Sequence, residues 1–478
     1  MTIHPRPYQT ETLQDARKAY RAGHRRVILQ ASTGAGKTVM ATLVCRNATA
    51  TGQRVLYVVH RDAILRQTKR ALTAAGVTVT TLQAGGTATP IEPGTVLLAS
   101  AQTLARRTVP DFDFGVWDEA HTFYTLQQRV QGPRRWLLLT ATPSLTSGAP
   151  LSAIADAIVT GPADDFLTAA GYLVPLEVYG APSPDLHGVT RQRGDYHPGQ
   201  LQAAHQAPKL VGAAGASMAR HGRDGARWLR AIVYCAGIEH SRQVTAELVA
   251  LGCRAVHIDG ETPPEVRAQL YADLAAQRID ALVNYGVAIE GLDIPEIECI
   301  AAFRAMGSLS DFLQSLGRGR RPSAGKARLI YIDGGGNCYR HGWPTVARQW
   351  TLAGKVPAVA APGLQTCKAC LAIYEPAPTC PRCGAVAEVK PRRGPQTVGA
   401  ELVRLTAATV VSKKQIAEWT RQASQWCPAR PVPSWAAADE GLWRGLERTR
   451  QREGHSLGDG TQAHPGWTAV QWRRIRNA

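Results

Sequence analysis

ASTGAGKT (31–38) follows the apolar run RVIL (26–29) and opens a helical pattern. This order of strand, glycine-rich loop and helix matches the phosphate-binding loop G/A-x-x-x-x-G-K-T. Its glycines let backbone N–H groups wrap phosphates, and the start of the helix adds positive potential. In such a loop the lysine reaches the outer phosphates and the next hydroxyl binds magnesium. We therefore predict a nucleotide site formed by Thr33, Gly34, Ala35, Gly36, Lys37 and Thr38.

Short apolar runs alternate with helical patterns along two parts of the chain, which predicts parallel βαβ units and an α/β fold with two lobes. The first lobe, 1–165, contains RVIL, RVLYVVH (54–60), TVLLAS (95–100), FGVW (114–117) and WLLL (136–139). The second lobe, 223–360, contains AIVYC (231–235), RAVHI (254–258), DALVNY (280–285), ECIAAF (298–303) and RLIYI (328–332). Residues 166–222, rich in Gly, Pro and Ala, are predicted to connect the lobes.

Two strand ends of the first lobe carry polar residues, in WDEAH (117–121) and WLLLTATPS (136–144). An acidic residue that leaves a buried strand beside a phosphate loop is placed to hold magnesium. Asp118 is therefore predicted to bind the ion through water, and Glu119 to orient and deprotonate an attacking water. Alone, the acidic pair would be a solvated turn and TAT an ordinary strand end. Together with the loop, Thr140 and Thr142 are predicted to touch the acidic pair.

The segment QSLGRGRR (314–321) is strongly basic. In isolation it would be a surface patch for phosphate backbones. Charge develops on a transferred phosphoryl group, and a guanidinium reaching across from a second lobe neutralises it, contributing ~10³ or more in rate. Such an arginine also makes hydrolysis conditional on closure of the two lobes.

The ordered set GAGKT, DEAH, TAT, EGLDIP (290–295) and QSLGRGRR resembles the superfamily 2 helicases of the DEAD/DEAH group over residues 5–345. The resemblance implies two tandem RecA-like lobes that bind ATP and Mg²⁺ between them. It implies that Gln9 binds the adenine edge, and that Gly291 and Asp293 contact nucleotide and strand. Gln314, Arg318 and Arg321 match the final motif, whose arginines reach the phosphates. The implied nucleic-acid contacts are His60, Arg61, Ser100, Gln102 and Thr103, and the implied coupling residues are His121, Thr140 and Thr142.

YLVPLEVY (172–179), HIDGETP (257–263) and a four-cysteine module resemble, more narrowly, the RadD group of bacterial DNA-repair helicases and their phage relatives. This resemblance implies DNA as the substrate, in preference to RNA. It implies fork or junction processing in repair, recombination or replication, with replication or recombination proteins as further partners.

Cys367, Cys370, Cys380 and Cys383 form two CxxC pairs separated by nine residues. Two such pairs bring four thiolates to tetrahedral geometry around zinc, and four ligands leave no open position for catalysis. We predict a small structural zinc ribbon over 361–390. The six other cysteines, scattered along the chain, are predicted to be small core residues: Cys45, Cys235, Cys253, Cys299, Cys338 and Cys427.

The chain of 478 residues has a formal net charge of +18 and a pI of about 9.7, which favours a polyanionic partner. It has no apolar stretch of the ~20 residues that a membrane helix needs, and its first residues lack a secretion signal. These features predict a cytoplasmic location, in a bacterial or phage-infected cell, without membrane contact. The region 391–478 is basic and rich in Trp, and its pattern predicts helices. Its tryptophans are expected either to form a small core or to stack bases.

The leading hypothesis is an ATP-dependent DNA helicase or translocase. An RNA helicase is the first alternative, since DEAH also occurs in RNA helicases. A nucleic-acid-binding scaffold with an inert nucleotide site is the second, and the intact Lys37, Asp118, Glu119 and Arg318 argue against it. The motor subunit of a restriction system ranks last because the sequence shows no convincing nuclease motif.

Overall fold

The computed structural model describes residues 4–60, 62–82, 90–145, 148–192, 194–206, 208–287, 294–353 and 364–386, with backbone alone at 62–63 and 208–209. The predicted positions Arg61, Gly291 and Asp293 lie outside these residues, as does the predicted C-terminal region 391–478.

The first lobe is a parallel seven-stranded sheet with the strand order β3-β4-β2-β5-β6-β1-β7. Its strands are β1 Arg26–Gln30, β2 Val55–Val59, β3 Val79–Leu82, β4 Val96–Ser100, β5 Phe114–Asp118, β6 Arg135–Thr140 and β7 Ala157–Thr160. Its helices are α1 Pro7–Arg21, α2 Lys37–Ala50, α3 Asp62–Ala74, α4 Ala101–Ala105, α5 Tyr124–Gln131 and α6 Asp164–Ala169, with a 3₁₀ turn at Leu151–Ala153.

The second lobe is a parallel six-stranded sheet with the order β14-β15-β13-β16-β17-β8. Its strands are β8 Leu176–Gly180, β13 Ala231–Cys235, β14 Ala255–Ile258, β15 Ala281–Asn284, β16 Cys299–Phe303 and β17 Leu329–Asp333. Its helices are α7 Pro198–His205, α8 Pro208–His221, α9 Ile238–Ala250, α10 Pro264–Ala275, α11 Leu309–Gly319 and α12 Asn337–His341. Two short hairpins accompany it: β9 Arg191–Gln192 with β10 Asp195–Tyr196, and β11 Arg223–Asp224 with β12 Arg227–Trp228.

Both sheets have apolar cores on each face, which explains why their central strands are continuous apolar runs. The ten strands predicted from the sequence are confirmed. β3, β7 and β8 were not predicted, since VTTL, AIVT and LEVYG lie toward sheet edges and include polar or half-buried residues. The predicted α/β class with two parallel-sheet lobes is confirmed.

The segment 166–222 does more than connect the lobes. Residues 170–175 cross from the first lobe into β8, which pairs with β17 as an edge strand of the second sheet. Helix α8 then packs against α9 of that lobe. Contributions from this segment to the second sheet therefore begin at Leu176, well before residue 223.

The four-cysteine module lies against the β8 edge of the second lobe. Its hairpin pairs β18 Gln365–Thr366 with β19 Ile373–Tyr374, and Gly180 N donates to Leu371 O at 2.8 Å. Cys367, Cys380 and Ala372 belong to the same apolar core as Tyr179. The module is thus anchored through its interior to the sheet.

The scattered cysteines among the described residues are buried, as predicted: Cys45, Cys235, Cys253, Cys299 and Cys338. Within the described ranges, each helix is too short or too polar to cross a membrane.

Candidate nucleotide site between the two lobes

The loop between β1 and α2 has the shape its glycines predict. Gly34 and Gly36 have φ values of 91° and 80°, in the left-handed region that favours glycine. Gly36 caps α2, and the Lys37 ammonium donates to Ala31 O at 3.2 Å. The Lys37 side chain therefore folds back over the loop. It is predicted to bind the outer phosphates of the nucleotide that the loop holds.

Helix α1 is tied to this loop. Gln9 is 3% exposed and donates through Nε2 to Ala35 O at 3.1 Å, while Tyr8 donates its hydroxyl to the same carbonyl at 2.8 Å. A Cβ atom built on Gly36 would lie 2.4 Å from Gln9 Nε2, so this approach requires glycine. The structure brings Gln9 to the phosphate loop, and its contact with adenine stays a prediction.

The acidic pair lies at the carboxyl end of β5. Asp118 is 8% exposed, and its carboxylate accepts the Glu119 backbone N–H at 3.0 Å. Burial, followed by the charge of Glu119, raises the pKa of Asp118 to about 6, while Lys37 and His60 act in the opposite direction. Glu119 has a φ of 52°, an unusual value for a non-glycine residue. Such backbone outliers cluster at functional sites.

A hydrogen-bond network joins this acidic pair to the second lobe through α11. Gln314 Nε2 lies 3.4 Å from Glu119 Oε2 and 3.1 Å from the Ser310 hydroxyl. Thr142 Oγ1 donates to Ser310 Oγ at 2.8 Å, and His121 Nε2 lies 3.1 Å from the same oxygen. On the far side of its ring, His121 Nδ1 lies 3.0 Å from Thr140 Oγ1.

The network indicates the tautomer of His121. Ser310 Oγ accepts hydrogen bonds from Thr142 and Gln314. Its own hydroxyl proton is therefore left to donate to His121 Nε2. His121 would then carry its proton on Nδ1, facing Thr140 and the Glu119 carboxylate at 3.5 Å. The polar ends of β5 and β6 are thereby connected to one turn of α11.

The three arginines at the end of α11 and directly after it, Arg318, Arg320 and Arg321, have different surroundings. A Cβ atom on Gly34 would lie 3.8 Å from Arg321 Cγ and 3.3 Å from Gly317 O, so Arg321 stands beside the phosphate loop. Arg318 lies near Tyr271 of α10. Burial raises the pKa of Tyr271 overall, and the Arg318 charge partly offsets this rise. Arg320, which was not predicted to have a role, is 4% exposed and bound into the link between the lobes.

The predicted nucleic-acid contacts of the first lobe lie together at the carboxyl edge of its sheet. Ser100 caps α4 by accepting the Thr103 backbone N–H at 3.2 Å. Gln102 Nε2 donates to His60 O at 2.6 Å, which joins the segments after β2 and β4. The structure therefore gathers four of the five predicted residues on one edge.

The four cysteine sulfurs lie within 4.8 Å of one another. The Cys367–Cys383 and Cys370–Cys380 sulfur pairs are 3.6 and 3.7 Å apart. Four sulfurs bound tetrahedrally at ~2.3 Å to zinc would be about 3.8 Å apart. Backbone N–H groups of Cys370 and Ala369 lower the pKa of the Cys367 thiol to about 6, which favours its thiolate, whereas burial raises the pKa of the Cys370 thiol. The geometry and chemistry of the cluster fit zinc.

Ser310 was missed by sequence reasoning, as was the approach of Thr33 to Gly317, where an added Cβ would lie 2.0 Å from Thr33 Cβ. Ser310 lies four residues before Gln314, one helical turn away. That spacing is the signal that could have identified it.

Two segments of the chain match known families. Residues 2–145 match the family described as type III restriction enzyme, res subunit, and residues 221–323 match the helicase conserved C-terminal domain. The matched segments contain the phosphate loop with the acidic pair and the arginine segment, respectively.

A 51.5 kDa protein of a Lactococcus phage (isolate 7-9) is 28% identical over 68% of this chain and 68% of its own length. The putative mitochondrial ATP-dependent helicase irc3 of Schizosaccharomyces pombe is 25% identical over 69% of this chain and 57% of its own. The chain thus spans little more than half of the yeast relative.

Among solved structures, a fragment of a putative HsdR subunit of a type I restriction enzyme from Vibrio vulnificus YJ016 is similar in fold. Its TM-score is 0.55 at 20% identity, over 75% of this chain and 68% of that one. These similarities support the broad superfamily, and the narrower likeness to the RadD group stays a prediction.

Proposed function

Because the chain belongs to the superfamily 2 helicases, we propose that it is an ATP-dependent motor that moves on or remodels DNA. The observation that carries this proposal is the inter-lobe contact. Glu119 of the first lobe and Gln314 of the second lie within hydrogen-bonding reach, and Arg321 stands beside Gly34. Hydrolysis at such a seam depends on how the lobes meet, which is the requirement for converting ATP turnover into movement.

In the proposed site the loop 33–38 cradles the phosphates, Lys37 neutralises their charge and Gln9 reads the base. Asp118 and the Thr38 hydroxyl are oxygen ligands of the type Mg²⁺ prefers, and their residue types fit that ion. When bound, Mg²⁺ would neutralise charge on the phosphates. Glu119 orients and deprotonates water, and Arg318 and Arg321 offset the charge that develops on the transferred group. On the basis of the sequence, Gly291 and Asp293 are proposed to contact both the nucleotide and the nucleic-acid strand.

A hydrogen-bond network is proposed to couple the state of the nucleotide to the nucleic-acid contacts. Its members are His121, Thr140, Thr142 and Gln314. Ser100, Gln102 and Thr103, with His60 and Arg61, would hold the sugar-phosphate backbone. DNA is favoured as the polymer by the net charge of +18 and by the match of residues 2–145 to a restriction-enzyme family. Fork or junction processing in repair, recombination or phage replication is the proposed task, within a bacterial or phage-infected cell.

The test is ATP hydrolysis by the full chain in the presence of single-stranded, forked and junction DNA and of RNA. DNA should stimulate hydrolysis, and Lys37→Ala should abolish the stimulated rate. Hydrolysis that persists in Lys37→Ala would refute the site. Stimulation by RNA alone would establish the RNA helicase instead, and polymer binding without turnover would establish an inert scaffold.

The cysteine cluster is proposed to bind one structural zinc. Elemental analysis of freshly purified, reduced protein should give about one zinc per chain, as expected for a four-thiolate site. Absence of metal from that preparation would contradict the proposal. A matched Cys383→Ser variant should lose the zinc, whereas Cys253→Ser, away from the cluster, should retain it.

A further inference from the structure

The segment Tyr172-Leu173-Val174, named the strap here, crosses between the lobes and touches three parts of the nucleotide site. The Tyr172 ring lies 4.9 Å from the ring of Tyr8 in α1, measured between centroids. Leu173 packs on the phosphate loop, since a Cβ atom on Gly34 would lie 3.0 Å from Leu173 Cδ2. Val174 binds the end of α11. Three consecutive residues therefore contact the helix near the predicted base, the loop and the arginine helix.

The contact between the strap and α11 is made by Arg320. Its Nε donates to Val174 O at 2.8 Å, while Val174 N donates to Arg320 O at 2.8 Å. Its Nη2 donates to Thr168 Oγ1 at 2.8 Å and lies 2.7 Å from Asp164 Oδ1. Asp164 and Thr168 are both on α6, which precedes the strap.

The hydrogen-bond partners of the Arg320 guanidinium matter because Arg320 is only 4% exposed. A buried guanidinium is costly unless its donors are paired, and here a carbonyl, a hydroxyl and a carboxylate share them. The planar fork of arginine fits these directions, and a lysine ammonium, with its single nitrogen, cannot reach them all. The residue therefore fixes the end of α11 to α6 and the strap as one unit.

Arg320 is flanked in sequence by the arginines predicted to face the phosphates. It is the C-cap of α11, with Arg321 directly after it and Arg318 two residues before it. A shift of the strap, caused by a change at the loop or at α1, would be passed directly to the end of this helix.

We propose that Arg320 is a positioning residue, which holds α11 to the strap so that occupation of the nucleotide site sets where Arg318 and Arg321 stand. The inference rests on the proposed ATP-driven function. It adds a mechanical link between lobes that is separate from the Ser310 network.

Arg26 provides a matched control within one lobe. Its Nε and Nη2 bind Asp156 Oδ1 at 3.0 and 2.6 Å, and its Nη1 donates to Ala153 O at 3.0 Å. Arg26 thus has the same combination of carboxylate and carbonyl partners, but all within the first lobe.

The experiment compares Arg320→Lys with Arg26→Lys in the full chain, measuring ATP hydrolysis with and without DNA, KM for ATP, and the thermal midpoint. Arg320→Lys should lower the DNA-stimulated kcat by about 10- to 100-fold, because small displacements of catalytic groups cost this much. Its KM for ATP should change far less. Arg26→Lys should lower the thermal midpoint and leave kcat nearly unchanged.

Thr168→Val, which removes one hydrogen bond to the Arg320 guanidinium, keeps the inference testable if Arg320→Lys fails to fold. It should lower the stimulated kcat by about fivefold, the equivalent of one hydrogen bond. Unchanged kcat in Arg320→Lys or Thr168→Val, or an equal loss in Arg26→Lys, would overturn the inference. If the unaltered protein showed no Lys37-dependent hydrolysis, the proposed function itself would fail instead.

Discussion

Asp118 and Asp333 each end a buried strand, one in each lobe, yet their carboxylates are used differently. Asp333, 2% exposed, accepts the backbone N–H groups of Asn337 and Cys338 at 2.8 Å each and the Asn337 side-chain amide at 3.1 Å. Asp118 accepts the neighbouring Glu119 N–H and faces the charge of Lys37. In the second lobe the carboxylate is used to start α12, whereas in the first lobe the carboxylate is proposed to bind a cation.

The chain that follows each aspartate accounts for the difference. After Asp333, Gly336 has a φ of 68° and turns the backbone so that the first N–H groups of α12 point at the carboxylate. After Asp118, the positive φ of Glu119 is followed by the turn Glu119–Thr122, closed by Thr122 N donating to Glu119 O. The turn after Asp333 thus supplies three hydrogen-bond donors to its carboxylate, whereas, within the described residues, the turn after Asp118 supplies only the Glu119 N–H.

Replacing Asp118 by Asn should have the largest effect. Losing the carboxylate removes a ligand for Mg²⁺, whose charge stabilisation is worth several kcal/mol, so DNA-stimulated kcat should fall by at least ~10²-fold. The fold should persist, as judged by circular dichroism and the thermal midpoint. Full activity in Asp118→Asn would remove the distinction between the two aspartates.

Lowering the pH should act on the same carboxyl. Because the pKa of Asp118 is raised to about 6, it is protonated below that pH and ionised above it. One proton then competes with Mg²⁺, so the Mg²⁺ concentration for half-maximal hydrolysis should rise about tenfold per pH unit below 6. Magnesium titrations at several pH values measure this, and an equal Mg²⁺ requirement on both sides of pH 6 would contradict it.

Replacing Asp333 by Asn should affect stability instead. The substituted amide presents a donor to backbone N–H groups, leaving a buried hydrogen-bonding group unsatisfied at about 1–3 kcal/mol. The free energy of unfolding from urea titration should drop by that amount, while kcat of the folded protein should stay near its original value. A selective loss of kcat without loss of stability would assign Asp333 to the nucleotide site.

Replacing Ser310 by Ala should have the smallest effect. It removes one bridge between the lobes, and a hydrogen bond is worth about 1 kcal/mol, or roughly fivefold in DNA-stimulated kcat. Ser315→Ala is the matched control, because Ser315 is on the same helix and donates within it, to Phe312 O at 2.7 Å. If both variants behaved alike, the bridge would have no special part in coupling.

The sequence predicted the central strands, the phosphate loop and the cysteine cluster because these depend on local composition. Gly34 and Gly36 are required by backbone conformation, and the two CxxC pairs bring four sulfurs within 4.8 Å of one another. What could not be predicted depends on contacts between distant segments. Arg320 and Arg321 are neighbours of the same type, and only the path of the strap determines that Arg320 is buried while Arg321 stands beside the loop.

The anchoring of the cysteine hairpin on β8 has a consequence for the solution behaviour of the protein. An exposed edge strand offers unpaired N–H and C=O groups to other chains, and proteins commonly cover such edges. Here the Leu371 and Ala372 backbone occupies the outer side of Tyr179 and Gly180. Loss of the proposed zinc, by chelation or by oxidation of the thiolates, should uncover that edge, so its first symptom should be self-association rather than a slower catalytic cycle.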